Sequence, residues 1–157
     1  MPIDLQWLVF PGSGGSPDFP TDPAGDPFGV DILFTDRKQL SAAGDYITIG
    51  GRENLRLAIY RRLDTNPGEY KLRPQYGAGL RSYVKKPRTK AILDEARGRC
   101  LEQIAREKRI QLVTALELNP ADLPSPSGPV PAIIVQLGVR SAGQEIRFQP
   151  MTFTERR

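Results

Sequence analysis

The stretch from Gly50 to Leu80 reads GGRENLRLAIYRRLDTNPGEYKLRPQYGAGL, and it predicts a helix with a well-marked end. Apolar residues at positions 55, 58, 59 and 63 recur on one helical face, so we expect a helix from about Gly51 to Leu63. The Asn-Pro-Gly turn at 66–68 ends it, because proline cannot continue the helical hydrogen bonds and glycine favours turn geometry. An ordered loop from Pro74 to Gly79 is predicted to follow.

A second, longer helix is predicted from Thr89 to about Glu107, with Thr89 as its N-cap. The apolar stripe of this helix consists of Ile92, Leu93, Ala96, Cys100 and Ile104. Pairs of opposite charge with i, i+4 spacing lie on the other face: Glu95 with Arg99, and Glu102 with Arg106. Cys100 is the only cysteine, and we interpret it as a small core residue and not as a nucleophile.

Short strands are predicted on both sides of the helices. The segments Asp31 to Phe34 and Tyr46 to Ile49 precede the first helix. After the second helix, Ile110 to Leu118 has the period-two pattern of a half-buried strand. Its apolar even positions are Ile110, Leu112, Leu116 and Leu118. Asn119 to Pro131 is interpreted as a proline-rich connection.

A β-hairpin is predicted at the C-terminus, with one strand from Ala132 to Arg140 and the other from Gln144 to Phe153. Pro150 cannot donate a ladder hydrogen bond, so the last strand should lie at a sheet edge or end there. The expected fold class is α+β: two or three helices packed on a small, mostly antiparallel sheet, with this C-terminal hairpin and a flexible N-terminal extension.

Residues 1–29 are interpreted as a Pro/Gly-rich N-terminal extension, and residues 30–157 as the folded domain. Proline, glycine, serine and aspartate dominate from Pro11 to Gly29, and such a segment cannot sustain a helix or a sheet. An apolar cluster precedes it, formed by Leu5, Trp7, Leu8, Val9 and Phe10. Two interpretations of the extension stay open: a docking peptide that reaches a neighbouring subunit, or a simple tail.

The composition excludes several kinds of chemistry. The chain has no histidine, so a mechanism with an imidazole base or a histidine-ligated metal is ruled out, and no cofactor or metal is expected. Its net charge of +4 permits contact with nucleic acid or with an acidic protein but selects neither. No secretion signal and no membrane-spanning run is evident, so we expect a reducing cytosolic setting and no membrane contact.

The ordered combination of these segments closely resembles the baseplate wedge or sheath-initiator family of contractile tails. This family includes phage protein W-like and lysozyme-like baseplate proteins and subunits of type VI secretion baseplates and injection particles. The residues that carry the resemblance are the Gly50–Leu80 stretch, Asp31-Ile32 upstream, and the long helix followed by Arg109-Ile110. The resemblance implies a structural protein without enzymatic activity, located in a virion tail baseplate or a cytoplasmic injection machine. It also implies six copies per baseplate, with sheath, wedge and tube or hub proteins as partners.

The resemblance implies a partner-binding site after the second helix. The family has a Glu-Pro-Arg signature there, and the matching residues are Glu107, Lys108 and Arg109, so lysine replaces the proline. Glu107 and Arg109 are expected to clamp neighbouring wedge proteins, with Glu107 paired to a basic group of the partner. Arg61 and Arg62 are added as candidates, although cations at a helix C-terminus also complement the helix dipole.

The resemblance further implies that the C-terminal hairpin offers a strand edge to the sheath protein. A partner strand can complete the backbone hydrogen bonds of such an edge. The apolar residues expected to face a core or a partner are Ile146, Phe148, Met151 and Phe153.

The sequence leaves two alternative functions to consider, a glycoside hydrolase and a nucleic-acid-binding module. A lysozyme-like glycoside hydrolase needs two carboxylates in a cleft, and no pair stands out among Glu53, Glu69, Glu107 and Glu117. A nucleic-acid-binding module could use the basic cluster formed by Arg81, Lys85, Lys86, Arg88 and Lys90, with Tyr83 among them. The cluster lacks a recognition motif, so we do not expect nucleic acid to be the partner.

Overall fold

The structure is a computed structural model that describes residues 28–33 and 40–155. The chain divides into two compact units, Met1–Leu55 and Arg56–Arg157, and each is described by itself. The apolar cluster of the N-terminal extension lies outside the described residues. The boundary between residues 29 and 30 stays a prediction.

The first unit contains a small antiparallel sheet and the start of helix α1. Strand β1 (Val30–Ile32) pairs with β2 (Thr48–Gly50), so both predicted strands are present in shorter form. The side-chain amide of Asn54 donates to the carbonyls of Phe28 and Gly29, at 3.0 and 2.9 Å. These two bonds hold the chain that leads into β1 in place. They also supply a donor to the carbonyl of Phe28, a buried residue, as buried carbonyl groups require.

Helix α1 (Gly51–Asp64) agrees with its prediction, and the loop after it satisfies its last carbonyl groups. The backbone N–H of Ala78 donates to the carbonyl of Arg62 at 3.0 Å, and that of Gly79 to the carbonyl of Thr65 at 2.9 Å. Helix ends leave such carbonyls without intrahelical partners. The 74–79 segment is therefore an ordered loop, as predicted, and it leads into a short 3-10 helix (Leu80–Tyr83).

Helix α2 (Lys90–Ala105) is capped by Thr89, whose side chain accepts a hydrogen bond from the backbone N–H of Ile92 at 3.5 Å. Both predicted i, i+4 ion pairs are present, with Glu95–Arg99 at 3.4 Å and Glu102–Arg106 at 2.5 Å. Cys100 is fully buried, and burial raises the pKa of its thiol to about 12. It therefore stays a neutral core side chain, as predicted.

The second unit contains a four-stranded antiparallel sheet. Its strands are β3 (Leu112–Leu123), β4 (Val130–Ser141), β5 (Gln144–Arg147) and β6 (Met151–Thr154). Strand β4 is central: β3 pairs along one side, and β5 and β6 pair in succession along the other. Helix α2 lies against β3, and the 3-10 helix lies against β6. The predicted α+β class is confirmed.

The interpretation of 119–131 as a proline-rich connection was wrong. Strand β3 continues through Pro120 to Leu123, and Asp122 pairs with Pro131 of β4, which leaves only 124–129 as a loop. Proline is tolerated on an outer strand when its missing N–H would point away from the ladder. Pro120 meets this condition: its partner in β4 is Ile133, and the carbonyl of Leu137, four residues further on, faces β5, so the backbone groups of Ile133 also face away from β3.

A β-bulge changes which side chains of β3 face the core. The register with β4 shifts between Val113 and Ala115, which leaves Thr114 as the extra residue. A bulge reverses the alternation of faces, because side chains alternate along a strand. Leu116 is therefore buried while Leu112 is 53% exposed, contrary to the half-buried stripe predicted for the even positions.

Candidate functional site

The outer side of β5 carries backbone groups that could pair with a further strand. The N–H of Phe148 donates to the carbonyl of Leu137 of β4 at 3.0 Å. Backbone groups of successive residues point to opposite sides of a strand. The N–H and C=O groups of Glu145 and Arg147 therefore point away from β4. Within the described part of the chain, no strand pairs with this side of β5.

The final edge is divided by a second bulge. Phe148 lies opposite Leu137 and Met151 opposite Val135, so Gln149 and Pro150 together face the single residue Gln136. Pro150 thus separates two short edge strands, which agrees with its predicted effect on the last strand.

The apolar candidates of the hairpin are mostly core residues of their own chain. Ile146, Met151 and Phe153 are buried, whereas Phe148 is half-buried. Phe153 stacks on Tyr60 of α1, with 4.8 Å between ring centroids and 15° between ring planes. A partner strand at this edge would therefore contact the backbone and the outward groups of the strand, and not these three buried side chains.

Arg81 holds β6 against helix α1. Its guanidinium donates to the carbonyl of Thr154 at 2.6 Å and to the Tyr60 hydroxyl at 3.0 Å, and it pairs with Asp64. The pair with Asp64 is largely buried, with side chains that are 16% and 12% exposed. Thr154 points its backbone groups away from β4, so Arg81 already occupies one acceptor of the outer edge. No local pattern indicates this role of Arg81, because its contacts join segments far apart in the chain.

The predicted site around Glu107 is assembled from two segments, the end of helix α1 and the turn after helix α2. Arg109 Nε donates to Glu107 Oε1 at 2.7 Å, and Arg62 Nη2 lies 3.5 Å from Glu107 Oε2. Burial acts to raise the pKa of Glu107, but the hydrogen bond and charge of Arg109, with the charge of Arg62, outweigh it and the pKa lies below the usual 4.5. Glu107 thus has two basic partners in its own chain. Arg61 is half-buried in the last turn of α1, and pairing of any of these residues with another protein stays a prediction.

The turn that carries Glu107 is held without the family's proline. The N–H of Glu107 donates to the carbonyl of Ile104, and the N–H of Ile110 to the carbonyl of Glu107, both at 3.0 Å. The hydroxyl of Ser141, a buried residue of β4, donates to the carbonyl of Arg109. Lys108 is exposed in the middle of this turn.

A pocket of about 670 Å³ opens beside Glu107. The 73–76 loop forms one wall, and the turn after helix α2 forms the other. Four cationic residues line the pocket: Arg62, Arg73, Arg106 and Lys108. Tyr76 provides an aromatic surface, and the guanidinium of Arg62 lies 4.7 Å from the centre of its ring.

The loop wall of the pocket is fixed by Gln103 of helix α2. The side-chain oxygen of Gln103 accepts from the N–H of Gly77 at 3.1 Å, and its amide donates to the carbonyl of Gln75 at 2.9 Å. Arg106 donates to the same carbonyl at 3.2 Å. Gln103 was not among the residues predicted from the sequence, although a glutamine on the buried stripe of a helix indicates a buried hydrogen-bonding role.

The pocket does not supply the carboxylate pair of a glycosidase. Glu107 is the one carboxylate among its lining residues, and its pKa is lowered. A glycosidase needs a second carboxyl with a raised pKa as its acid. In residues 28–33 and 40–155 no group of three histidine, cysteine, aspartate or glutamate side chains could hold a metal ion. None of the helices in these residues has the length and hydrophobicity of a membrane span.

The basic cluster at 81–90 is largely neutralised by its own chain. Lys85 pairs with Glu155 at 2.5 Å, Arg88 pairs with Asp122, and Lys86 lies 4.0 Å from the centre of the Tyr83 ring. Arg81 is occupied as described above. Tyr83 is 4% exposed, so it offers no face on which a base could stack.

Comparison with solved structures finds similar chains. One is a protein in the cryo-EM structure of the anti-feeding prophage baseplate, sixfold symmetrised, with a TM-score of 0.57 and 21% sequence identity; the match covers 73% of this chain and 86% of that chain. Another is a candidate tail lysozyme from Geobacter sulfurreducens, with a TM-score of 0.49 and 20% identity; this match covers 76% and 96% of the two chains.

The first of these similarities establishes the fold. No protein-family model and no curated protein matches the sequence. The chain shares the fold of a component of the anti-feeding prophage baseplate, and at the level of the fold this confirms the baseplate resemblance predicted from the sequence.

Proposed function

We propose that this chain is a structural subunit of a contractile-tail baseplate and that the sheath begins to assemble on its C-terminal strand edge. The outward backbone groups of Glu145 and Arg147 carry the proposal, because they can receive a strand from a sheath protein. The similarity to a baseplate protein supports the location. By the same resemblance, six copies act in each baseplate, and wedge and tube or hub proteins are the other neighbours.

The opposite edge of the sheet is poorly suited to this role. Strand β3 contains the bulge at Thr114, and its Pro120 has no backbone N–H to donate. Near the end of β3, Arg88 also binds Asp122, with Nη1 3.1 Å from Oδ2. Bulges, proline and charges are features that prevent edge-to-edge pairing. The edge formed by β5 and β6 is therefore the one that a partner strand would extend.

Docking on the wedge proteins would use the surface around Glu107 and Arg109. Glu107 is buried and bound by Arg62 and Arg109, so its structural effect is to orient two guanidinium groups. An oriented guanidinium binds a carboxylate through two parallel hydrogen bonds. The proposal thus gives the partner-binding contacts to Arg62 and Arg109, with Glu107 as their positioning residue.

The location is tested by coexpression of the tagged chain with the sheath, tube and wedge proteins of its own gene neighbourhood. Copurification with them, and six copies per particle by cryo-EM, is expected. Particles that form complete baseplates without this chain would disprove the structural role.

The strand edge is tested by Arg147→Pro. This variant removes the outward N–H of β5 and leaves the ladder with β4 intact, because that N–H does not bond to β4. Arg147→Ala is the matched control, since it removes the same exposed side chain and keeps the N–H. We expect baseplates with bare tubes from Arg147→Pro and sheathed particles from Arg147→Ala, as seen by electron microscopy. Normal sheaths from both variants would disprove the edge mechanism.

A further inference from the structure

A cationic pocket between the 66–76 loop and the end of helix α2 has the chemistry of a binding site. Two of its cations, Arg73 and Lys108, are exposed, and among the described residues neither forms an ion pair. The charge of Arg106 is shared with Glu102, one turn earlier on the helix. The carboxylate of Glu107 is already bound by two arginines, so it does not neutralise Arg73 or Lys108.

The loop that forms this pocket is held in one conformation by its own backbone. The N–H of Gly68 donates to the carbonyl of Pro74 at 2.8 Å, and that of Arg73 donates to the carbonyl of Tyr70 at 3.0 Å. Gln103 fixes the far end of the loop, as described above. A preformed site of this kind binds without the entropic cost of ordering a loop.

Two exposed side chains with apolar surface lie next to lining residues of the pocket, Leu72 beside Arg73 in the sequence and Tyr70 against the ring of Tyr76. Leu72 is 97% exposed on the fixed loop, and Tyr70 is half exposed beside it. Tyr70 also meets the edge of Tyr76, with 5.4 Å between ring centroids. Leu72 thus lies exposed on a rigid loop, close to cations that have no ion-pair partner among the described residues. This combination is complementary to a protein segment that contains both acidic and apolar residues.

We propose that this pocket binds an acidic segment of a neighbouring protein, whose carboxylates pair with Arg73, Arg106 and Lys108 and whose apolar residues cover Leu72. The inference rests on the proposed function for the identity of that neighbour, a protein of the baseplate. A protein segment fits better than nucleic acid, because Arg62 covers one face of Tyr76 and Tyr70 meets its edge, so base stacking has little room.

The test uses the full chain and a short fluorescent peptide rich in glutamate and leucine. Its glutamine counterpart and a duplex DNA of equal charge are the comparison probes. We expect the glutamate peptide to bind, with an affinity that falls with salt, and the other two probes to bind more weakly. Arg73→Glu with Lys108→Glu should weaken peptide binding by about tenfold or more, because two attractive charge contacts become repulsive.

The matched control is Lys90→Glu with Arg97→Glu, which makes the same change in net charge at exposed positions elsewhere on helix α2. This control should bind the peptide like the original chain, and both double variants should keep its melting temperature. Equal binding of the glutamate and glutamine peptides, equal loss in both double variants, or preferential binding of DNA would overturn the inference.

A second readout separates this inference from the proposed function. If the peptide binds in the pocket but the chain never copurifies with baseplate proteins, the proposed function fails and the pocket remains an acidic-peptide site. If the chain assembles into baseplates equally well with Arg73→Glu and Lys108→Glu, and the peptide does not bind, the pocket inference alone fails.

Discussion

Arg81 and Thr154 lie 73 positions apart in the chain, and the guanidinium of Arg81 donates a hydrogen bond to the carbonyl of Thr154 at 2.6 Å. The same guanidinium contacts Asp64 and Tyr60 of helix α1. The side chain of Arg81 therefore connects helix α1, the 3-10 helix and strand β6. These contacts hold β6 next to the two helices.

Arg81→Met should lower the free energy of unfolding by about 3 kcal/mol, because it leaves the largely buried carboxylate of Asp64 without this cation. Lys85→Met is the control: its ion pair with Glu155 is exposed, and its loss should cost less than about 1 kcal/mol. Urea denaturation measures both. Equal effects of the two substitutions would contradict the role assigned to Arg81.

Gly77→Ala should destabilise the chain much more than Gly68→Ala. Both glycines have positive φ, 104° and 83°, so both alanines carry a left-handed strain of about 1–2 kcal/mol. Only at position 77 would the new Cβ lie 2.1 Å from the carbonyl oxygen of Thr65, whereas position 68 faces open space. We expect a further loss of roughly 1–3 kcal/mol from Gly77→Ala in thermal or urea unfolding.

The lowered pKa of Glu107 gives a prediction for acid stability. A carboxyl whose pKa is lower in the folded state contributes stability above its unfolded pKa, and this contribution is lost as the pH falls through the folded value. The stability difference between the original chain and Glu107→Gln should therefore be largest at neutral pH and shrink below about pH 4.5. Urea midpoints measured from pH 7 to pH 3 test this, and a difference independent of pH would contradict it.

Phe153→Ala should cost about 3–5 kcal/mol, since Phe153 is fully buried and stacks on Tyr60. Phe148→Ala is the control within the same edge and should cost distinctly less, because Phe148 is half-buried. Chemical denaturation compares them. A larger loss from Phe148→Ala would mean that the end of the sheet is not packed as described.

Helical periodicity and turn residues were sufficient to predict both helices, the Thr89 cap and the two i, i+4 ion pairs. The strands were harder, because proline is a strong break signal that an outer strand can tolerate, and β3 therefore continues past Pro120. The exposure of Leu112 could not be predicted either. It depends on the bulge at Thr114, and one extra residue reverses the face of every side chain before it.

The candidate site was predicted in part. The predicted residues were Glu107 and Arg109, with Arg61 and Arg62 as further candidates, and the structure brings Glu107, Arg109 and Arg62 together. Arg62 and Glu107 lie 45 positions apart, which explains why local spacing could not show this contact. The basic cluster at 81–90 shows the opposite problem. Lys85 and Arg88 lie close together in the sequence, but each pairs with an acidic residue far along the chain, Glu155 and Asp122. Counting charges along the sequence therefore overestimated the net positive charge of this surface.

The two margins of the four-stranded sheet are unequal, and this gives the molecule a polarity. The bulge and Pro120 obstruct the β3 margin, so a second copy of the chain cannot add its β5 there and start a ribbon of identical subunits. Self-association of concentrated protein should therefore stop at pairs, because two β5 strands can pair but the obstructed β3 margins cannot; under the proposed function, continued growth needs a different polypeptide as the next strand.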